Sequence, residues 1–167
     1  DRAYNVRNRE QDAPEYDGGK PGADDYRRAR LAAFIQMTYV GAPMIWYGSE
    51  AGMWGSSDPN NRKPMLWRDH EPYAVPSENH VMADQLAFYR DVVALRNAHP
   101  ALRTGSFRTL LADDAREAWV FLREDEREQL LVAVTASDEP QRLALPAPSG
   151  NGWRPVFDTA AAGSASD

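Results

Sequence analysis

Gly41-Ala-Pro-Met-Ile-Trp-Tyr-Gly-Ser-Glu50, running on to Asp58-Pro-Asn-Asn-Arg62-Lys-Pro-Met-Leu-Trp67, decides how this chain is read. Met44 to Tyr47 has no polar face, is entered through Gly-x-Pro and is left through Tyr47-Gly48. Such a run suits a strand covered on both sides, as in parallel α/β sheets, better than an alternating antiparallel edge. The residues from Gly48 to Trp67 are rich in Gly, Ser, Asp, Asn and Pro and read as loop. That loop sets a carboxylate, Asp58, and a guanidinium, Arg62, four residues apart among aromatic side chains. One strand cannot make a parallel sheet. The expectation is that its partners lie upstream of residue 1 and that the chain is a fragment.

Outward from this stretch, helical spacing brackets it. Asp24 or Asp25 is the expected N-cap of a helix over about 25–39, in which Leu31, Phe34, Ile35, Thr38 and Tyr39 recur on one face. Gly41 and Pro43 stop it. A second helix is expected over about 80–98, with Met82, Leu86, Tyr89 and Val93 as one stripe and Phe88, Val92 and Leu95 as another. Two stripes imply contact on two sides. The first 23 or so residues are polar and broken by Pro14, Gly18, Gly19, Pro21 and Gly22, as in a functional loop or a severed connection.

After Pro100 the texture changes to short strand-like runs. Phe107–Leu111, Ala118–Leu122 and Leu130–Thr135 are separated by charged turns at Asp113-Asp114 and Arg123-Glu-Asp-Glu-Arg127. Gln141–Leu145 and Trp153–Phe157 read as two more. Several short strands at this spacing suggest an antiparallel sandwich. The order helix, buried strand, long loop, helix and antiparallel strands predicts the end of an α/β domain over residues 1–103. A small β domain, short of its last strands, is expected over residues 104–167.

Composition narrows the function classes. The chain has 167 residues, 43% hydrophobic and 26% charged, which is a globular and not a disordered composition. Its formal net charge of -6 disfavours a nucleic-acid partner, which needs a basic patch. Arg27, Arg28 and Arg30 cluster, but beside Asp24 and Asp25 they read as a solvated helix face. There is no cysteine, so no disulfide, thiol nucleophile or zinc–thiolate site is available. His70, His80 and His99 have no metal-type spacing, and no apolar run approaches bilayer length. No metal, cofactor or membrane partner is expected.

The chemistry sits in the loop. A guanidinium is a rigid fork of donors and a carboxylate offers only acceptors, so Asp58 and Arg62 together can bracket vicinal hydroxyls. They can equally form a salt bridge that pins the loop. Tyr47, Trp54 and Trp67 supply flat faces against which a pyranose ring can lie, whereas Trp46, inside the apolar run, reads as core. Glu50 lies just past the strand end, where parallel α/β barrels place active-site loops. It is a candidate acid or, more simply, a buried carboxylate tying the loop to backbone donors. Glycoside hydrolysis takes two carboxyl groups facing each other across the scissile bond. Neither Glu50 nor Asp58 comes with a recognisable partner.

The compound motif Gly41-x-Pro43-x-x-x-Tyr47-Gly48-x-Glu50 and Asp58-Pro59-x-x-Arg62-x-Pro64-Met65-x-Trp67 resembles the eighth-strand region of the α-amylase superfamily of glycoside hydrolases. The similarity is to its cyclomaltodextrinase, neopullulanase and oligosaccharide α-glucosidase branches. It extends from about Tyr26 to Phe157 and takes in Phe34-Ile-Gln-Met-Thr-Tyr-Val40 and Arg96-Asn-Ala-His-Pro-Ala-Leu102. Ser49 stands where close relatives often carry Asp or Glu.

The resemblance implies the C-terminal end of a (β/α)8 barrel followed by an antiparallel β-sandwich. It implies that Asp58 and Arg62 bind a glucose unit on the non-reducing side of the cleavage point. The family's nucleophile, acid/base and transition-state carboxylates lie on other strands, and none of their motifs is in this sequence. Calcium, which some relatives bind, is held by other parts of that fold. The implied function is part of a retaining hydrolase or transglycosylase acting on α-1,4-linked, or also α-1,6-linked, glucans or malto-oligosaccharides. The chain alone is expected to be inactive. The alternative is a non-catalytic carbohydrate-binding or partner-binding barrel-like protein.

Overall fold

A computed structural model describes residues 19–55, 61–73, 80–144, 152–160 and 162. Asp58 lies outside the described residues, as does most of the polar N-terminal stretch. Among the described residues three α-helices and three strands follow one another, with short 3-10 turns at Arg68–His70 and Asp114–Arg116: α1 (Ala23–Thr38), α2 (Ala83–Ala98), α3 (Pro100–Thr104), β1 (Ser106–Asp113), β2 (Ala118–Glu124) and β3 (Gln129–Thr135). Both long helices stand within a few residues of their expected positions. The first three expected strands form, each slightly longer than its apolar run.

The N-cap of helix α1 is Gly22, not Asp24 or Asp25. Asp25 instead reaches back to accept the Gly22 N–H at 2.9 Å, satisfying a donor that the helix itself cannot. Ala33, Phe34, Met37 and Thr38 are its buried face. On α2 the buried residues are Gln85, Phe88, Tyr89, Val92 and Arg96, at spacings of three and four. The two expected stripes are thus one buried face with half-buried Leu86, Val93 and Leu95 beside it.

The strands form a single antiparallel sheet of order β1-β2-β3. Central β2 is buried along most of its length, including Val120, Phe121 and Leu122. The hydrophobic core joins helices and sheet, since Phe34, Met37, Phe88 and Val92 pack with Phe121 and Val132. Phe157 closes it from the C-terminal segment, stacking on Phe34 at 5.5 Å between ring centroids.

Three expectations are corrected. Met44–Tyr47 is not a strand: it carries no strand pairing, and Met44 and Trp46 are 67% and 64% exposed. A strand exists only where another backbone pairs with it. The sheet described here lies elsewhere and does not reach this run, so Trp46 is not core. Gln141–Arg142–Leu143–Ala144 and Trp153–Phe157 are likewise irregular, so the described β structure is one three-stranded sheet. Finally, Arg123 does not belong to a charged turn. It is the penultimate residue of β2 and is 1% exposed.

Candidate functional site

Residues 44–53 sit against the helices that flank the stretch in sequence. At the entry end, Gln36 of α1 donates through Nε2 to the Met44 carbonyl at 2.9 Å. The chain then folds into consecutive turns over residues 47–52. Gly48 has φ of +84°, a region side-chain-bearing residues rarely adopt, and a Cβ there would stand 2.4 Å from Met53 Sδ. The turns are pinned from both sides. The Tyr26 hydroxyl donates to the Gly52 carbonyl at 2.7 Å, and the Met82 N–H donates to the Ala51 carbonyl at 3.0 Å. Arg30 of α1 meanwhile donates to Gln85 of α2 at 2.7 Å, joining the two helices under the turns. A cleft of about 290 Å³ opens between α1 and this segment, lined by Ala29, Ala32, Gln36, Ile45, Trp46 and Tyr89 among others.

The candidate residues are placed unevenly. Arg62 is exposed. Its expected pairing with Asp58 falls outside the described residues. Tyr47, 44% exposed, donates its hydroxyl to the Lys63 carbonyl at 2.9 Å and so ties the turn to the residue beside Arg62. The Lys63 ammonium lies 3.8 Å from the centroid of the Trp54 ring. One face of Trp54 is thereby occupied by a cation, which draws on the same ring surface a sugar would use. Trp67 is 56% exposed; its backbone N–H donates to the Tyr73 hydroxyl at 2.6 Å, and that hydroxyl donates in turn to the Trp67 carbonyl at 3.0 Å. Trp46 and Tyr47 lie side by side, with centroids 5.8 Å apart.

Glu50 does not do what its sequence reading favoured. Its Oε2 is buried and takes no hydrogen bond from a backbone donor or any other group among the described residues. Trp54 Nε1 is buried and equally unmatched. An acceptor and a donor left in this condition each cost about 1–3 kcal/mol. Both are groups that a hydroxyl can satisfy. Electrostatically, burial pushes the Tyr89 phenol above its ordinary range, and the Glu50 carboxylate behind it adds to the effect.

Several residues that hold the site went unremarked in the sequence. Tyr26, Gln36 and Gln85 are polar residues on helices whose apolar spacing draws attention elsewhere. The available signal was in α2, where Gln85 and Arg96 continue the buried Phe88–Tyr89–Val92 face at each end. A polar residue on an apolar stripe is a group that must find a partner. The arginine cluster also divides. Arg27 is solvated and pairs with Asp24 and Asp138, whereas Arg30 turns inward to Gln85, to Asp84 and over the Phe88 ring.

No family model matches the chain. Among curated proteins it is 41% identical over 110 residues to a cyclomaltodextrinase of Bacillus sp, covering 66% of this chain and 18% of that protein. It is 33% identical over 123 residues to neopullulanase 2 of Thermoactinomyces vulgaris, covering 74% and 20%. Among solved structures, a cyclomaltodextrinase superposes with a TM-score of 0.64 at 38% identity, over 75% of this chain and 20% of that one. The chain thus spans about a fifth of the length of the relatives it matches.

Proposed function

Because the chain is a homologue of the α-amylase-family glycoside hydrolases, we propose that it forms the sugar-binding rim of an α-glucan hydrolase site. In this reading residues 1–103 are the end of a (β/α)8 barrel, in which Met44–Tyr47, unpaired here, takes the eighth-strand position only when the rest of the barrel supplies its partners, and residues 104–167 belong to a β-sandwich domain. Asp58 and Arg62 bracket the hydroxyls of one glucose unit, Arg62 donating and Asp58 accepting. Tyr47 and Trp67 offer ring faces beside it, and Glu50 and Trp54 support the loop or line the pocket. The substrate class is α-1,4-linked glucan or malto-oligosaccharide, with α-1,6 linkages included.

This chain supplies binding and not bond cleavage. A retaining glycosidase needs a carboxylate nucleophile and a carboxylic acid across the scissile bond, passing through a covalent glycosyl intermediate. No residue of this chain is assigned either role, and the chain by itself is expected to turn over no glucoside.

The observation that carries the reading is the compound motif of residues 41–67, on a loop whose turns are pinned by both flanking helices and whose Tyr47 and Trp67 rings remain exposed. Replacing Arg62 with Ala in the full-length enzyme tests it. Loss of a charge-assisted donor predicts maltose affinity weaker by about ten-fold or more in calorimetry. Unchanged affinity in a folded variant would leave Asp58 and Arg62 as a loop brace and overturn the assignment.

A further inference from the structure

We propose that Arg96 and Arg123 are positioning residues for the substrate loop: gripping the C-terminal end of α1 from two sides, they fix the direction in which residues 41–53 leave it. The inference rests on the sugar-binding reading for its functional half, and on geometry alone for its structural half.

The last carbonyls of a helix have no partners within it and carry the negative end of its dipole. In α1 those carbonyls are met by two guanidiniums from different elements. Arg96 of α2 donates through Nη1 to Met37 O at 2.6 Å and Tyr39 O at 3.3 Å, and through Nη2 to Gly41 O at 2.6 Å. Arg123 of β2 donates through Nη1 to Thr38 O at 2.7 Å. Its Nε and Nη2 reach Ser106 O and Gly105 O, both at 3.1 Å, at the start of β1.

Among the described residues, every hydrogen bond of these two side chains goes to a backbone carbonyl. No carboxylate among the described residues pairs with either one. Burial lowers the pKa of both guanidiniums, and a neighbouring arginine lowers each further: Arg103 for Arg96, and Arg96 for Arg123. Two like charges are therefore held close together, compensated by backbone carbonyls at the end of α1 and at the start of β1. A lysine's three donors radiate from one nitrogen and lack the spread with which a planar fork reaches carbonyls on both sides.

The grip extends to Gly41, two residues beyond the C-cap Tyr39. That residue turns the chain at φ of +96°. Three residues later Gln36 holds the Met44 carbonyl, and Tyr47 then binds the Lys63 carbonyl beside Arg62. Displacement of Gly41 is thus passed along the segment to the neighbour of a substrate-binding residue. The far end of the turns is pinned independently by Tyr26 and Met82, so loss of the arginines frees the entry end only. The Arg96-Asn-Ala-His-Pro-Ala-Leu102 motif acquires a role here through its first residue.

The test uses Arg96→Lys and Arg123→Lys in the full-length enzyme, each retaining the cation and losing the fork. Amide exchange followed by mass spectrometry is expected to accelerate about ten-fold across residues 41–47 and to stay within about two-fold across residues 129–135. Maltose affinity is expected to weaken about five- to twenty-fold, and less than additively with Arg62→Ala, since both changes act on one loop. Unchanged exchange over 41–47 overturns the grip. Faster exchange with unchanged or fully additive maltose affinity overturns the positioning role. If the wild type binds no maltose, the sugar-binding reading fails, and the exchange result alone decides the grip. Arg123 is the more deeply buried; should its variant not fold, Arg96→Lys carries the test.

Discussion

Two glycines of the central stretch share a backbone conformation and differ in their surroundings. Gly41 and Gly48 have φ of +96° and +84°, but a Cβ at Gly41 meets nothing within 4 Å whereas one at Gly48 meets Met53 Sδ at 2.4 Å. Gly41→Ala should therefore cost only the left-handed penalty, about 1–2 kcal/mol. Gly48→Ala should cost that and a further 1 kcal/mol or so, for displacing Met53 inside the turns. Urea midpoints of the two variants measure the difference, and equal losses would mean that the methionine yields freely. The glycines themselves were legible, because Gly-x-Pro and Tyr-Gly punctuate an apolar run. Arg123 was not. Beside Glu124, Asp125 and Glu126 it looks like one more solvated charge, and only the antiparallel register that sets Arg123 opposite Phe107 and Leu130 shows it inside the sheet. Burial of a single side chain is a property of the elements around it, and a local charge pattern carries no record of them.

At the scale of elements, α1 and α2 are joined by Arg30, which reaches Gln85 and the Asp84 carboxylate at the start of α2. Partial burial pushes the Asp84 carboxyl up, but the Arg30 hydrogen bond and charge together outweigh it and leave the group below its ordinary 3.8. A carboxyl depressed in the folded state adds stability that is fully present above the unfolded value and is lost as pH falls through the folded one. Wild type should therefore lose more stability than Asp84→Asn between pH 5 and the acid limit, the two converging at low pH. Because the Asp84 side chain is 53% exposed, the gap near neutrality should be small, about 0.2–1 kcal/mol. Parallel pH profiles in urea unfolding would show that the pair is not coupled to folding. Both helices were legible because their apolar positions recur at helical spacing within each segment. The β1–β2–β3 meander was legible for the same kind of reason, since its pairing is with sequence neighbours. The unpaired state of Met44–Tyr47 was not, because whether an apolar run finds strand partners is a relation to segments far away in sequence.

At the scale of the molecule, the same absence of pairing leaves a continuous apolar surface in water. Val40, Met44, Ile45, Trp46 and Tyr47 are between 39% and 67% exposed, and Trp67 adds 56% from the loop that follows. Soluble proteins rarely leave so contiguous a patch uncovered. Gln36 and Ser49 take up the Met44 and Trp46 carbonyls, but no strand among the described residues pairs with the segment, and an unpaired apolar segment is a template for pairing with another chain. The net charge of -6 opposes association only weakly at ordinary ionic strength, where exposed charges are screened beyond about 8–10 Å. The isolated chain should therefore self-associate with rising concentration. A Met44→Lys/Trp46→Lys double variant should shift it toward the monomer without changing the helix signal, because neither side chain is part of the core formed by α1, α2 and the sheet. Sedimentation velocity across a concentration series distinguishes the outcomes. A wild-type chain that stays monomeric throughout would mean that the patch is covered from within. Association that persists unchanged in the double variant would move the sticky surface elsewhere, to the cleft of about 1040 Å³ where Trp153 and Phe157 lie against β3.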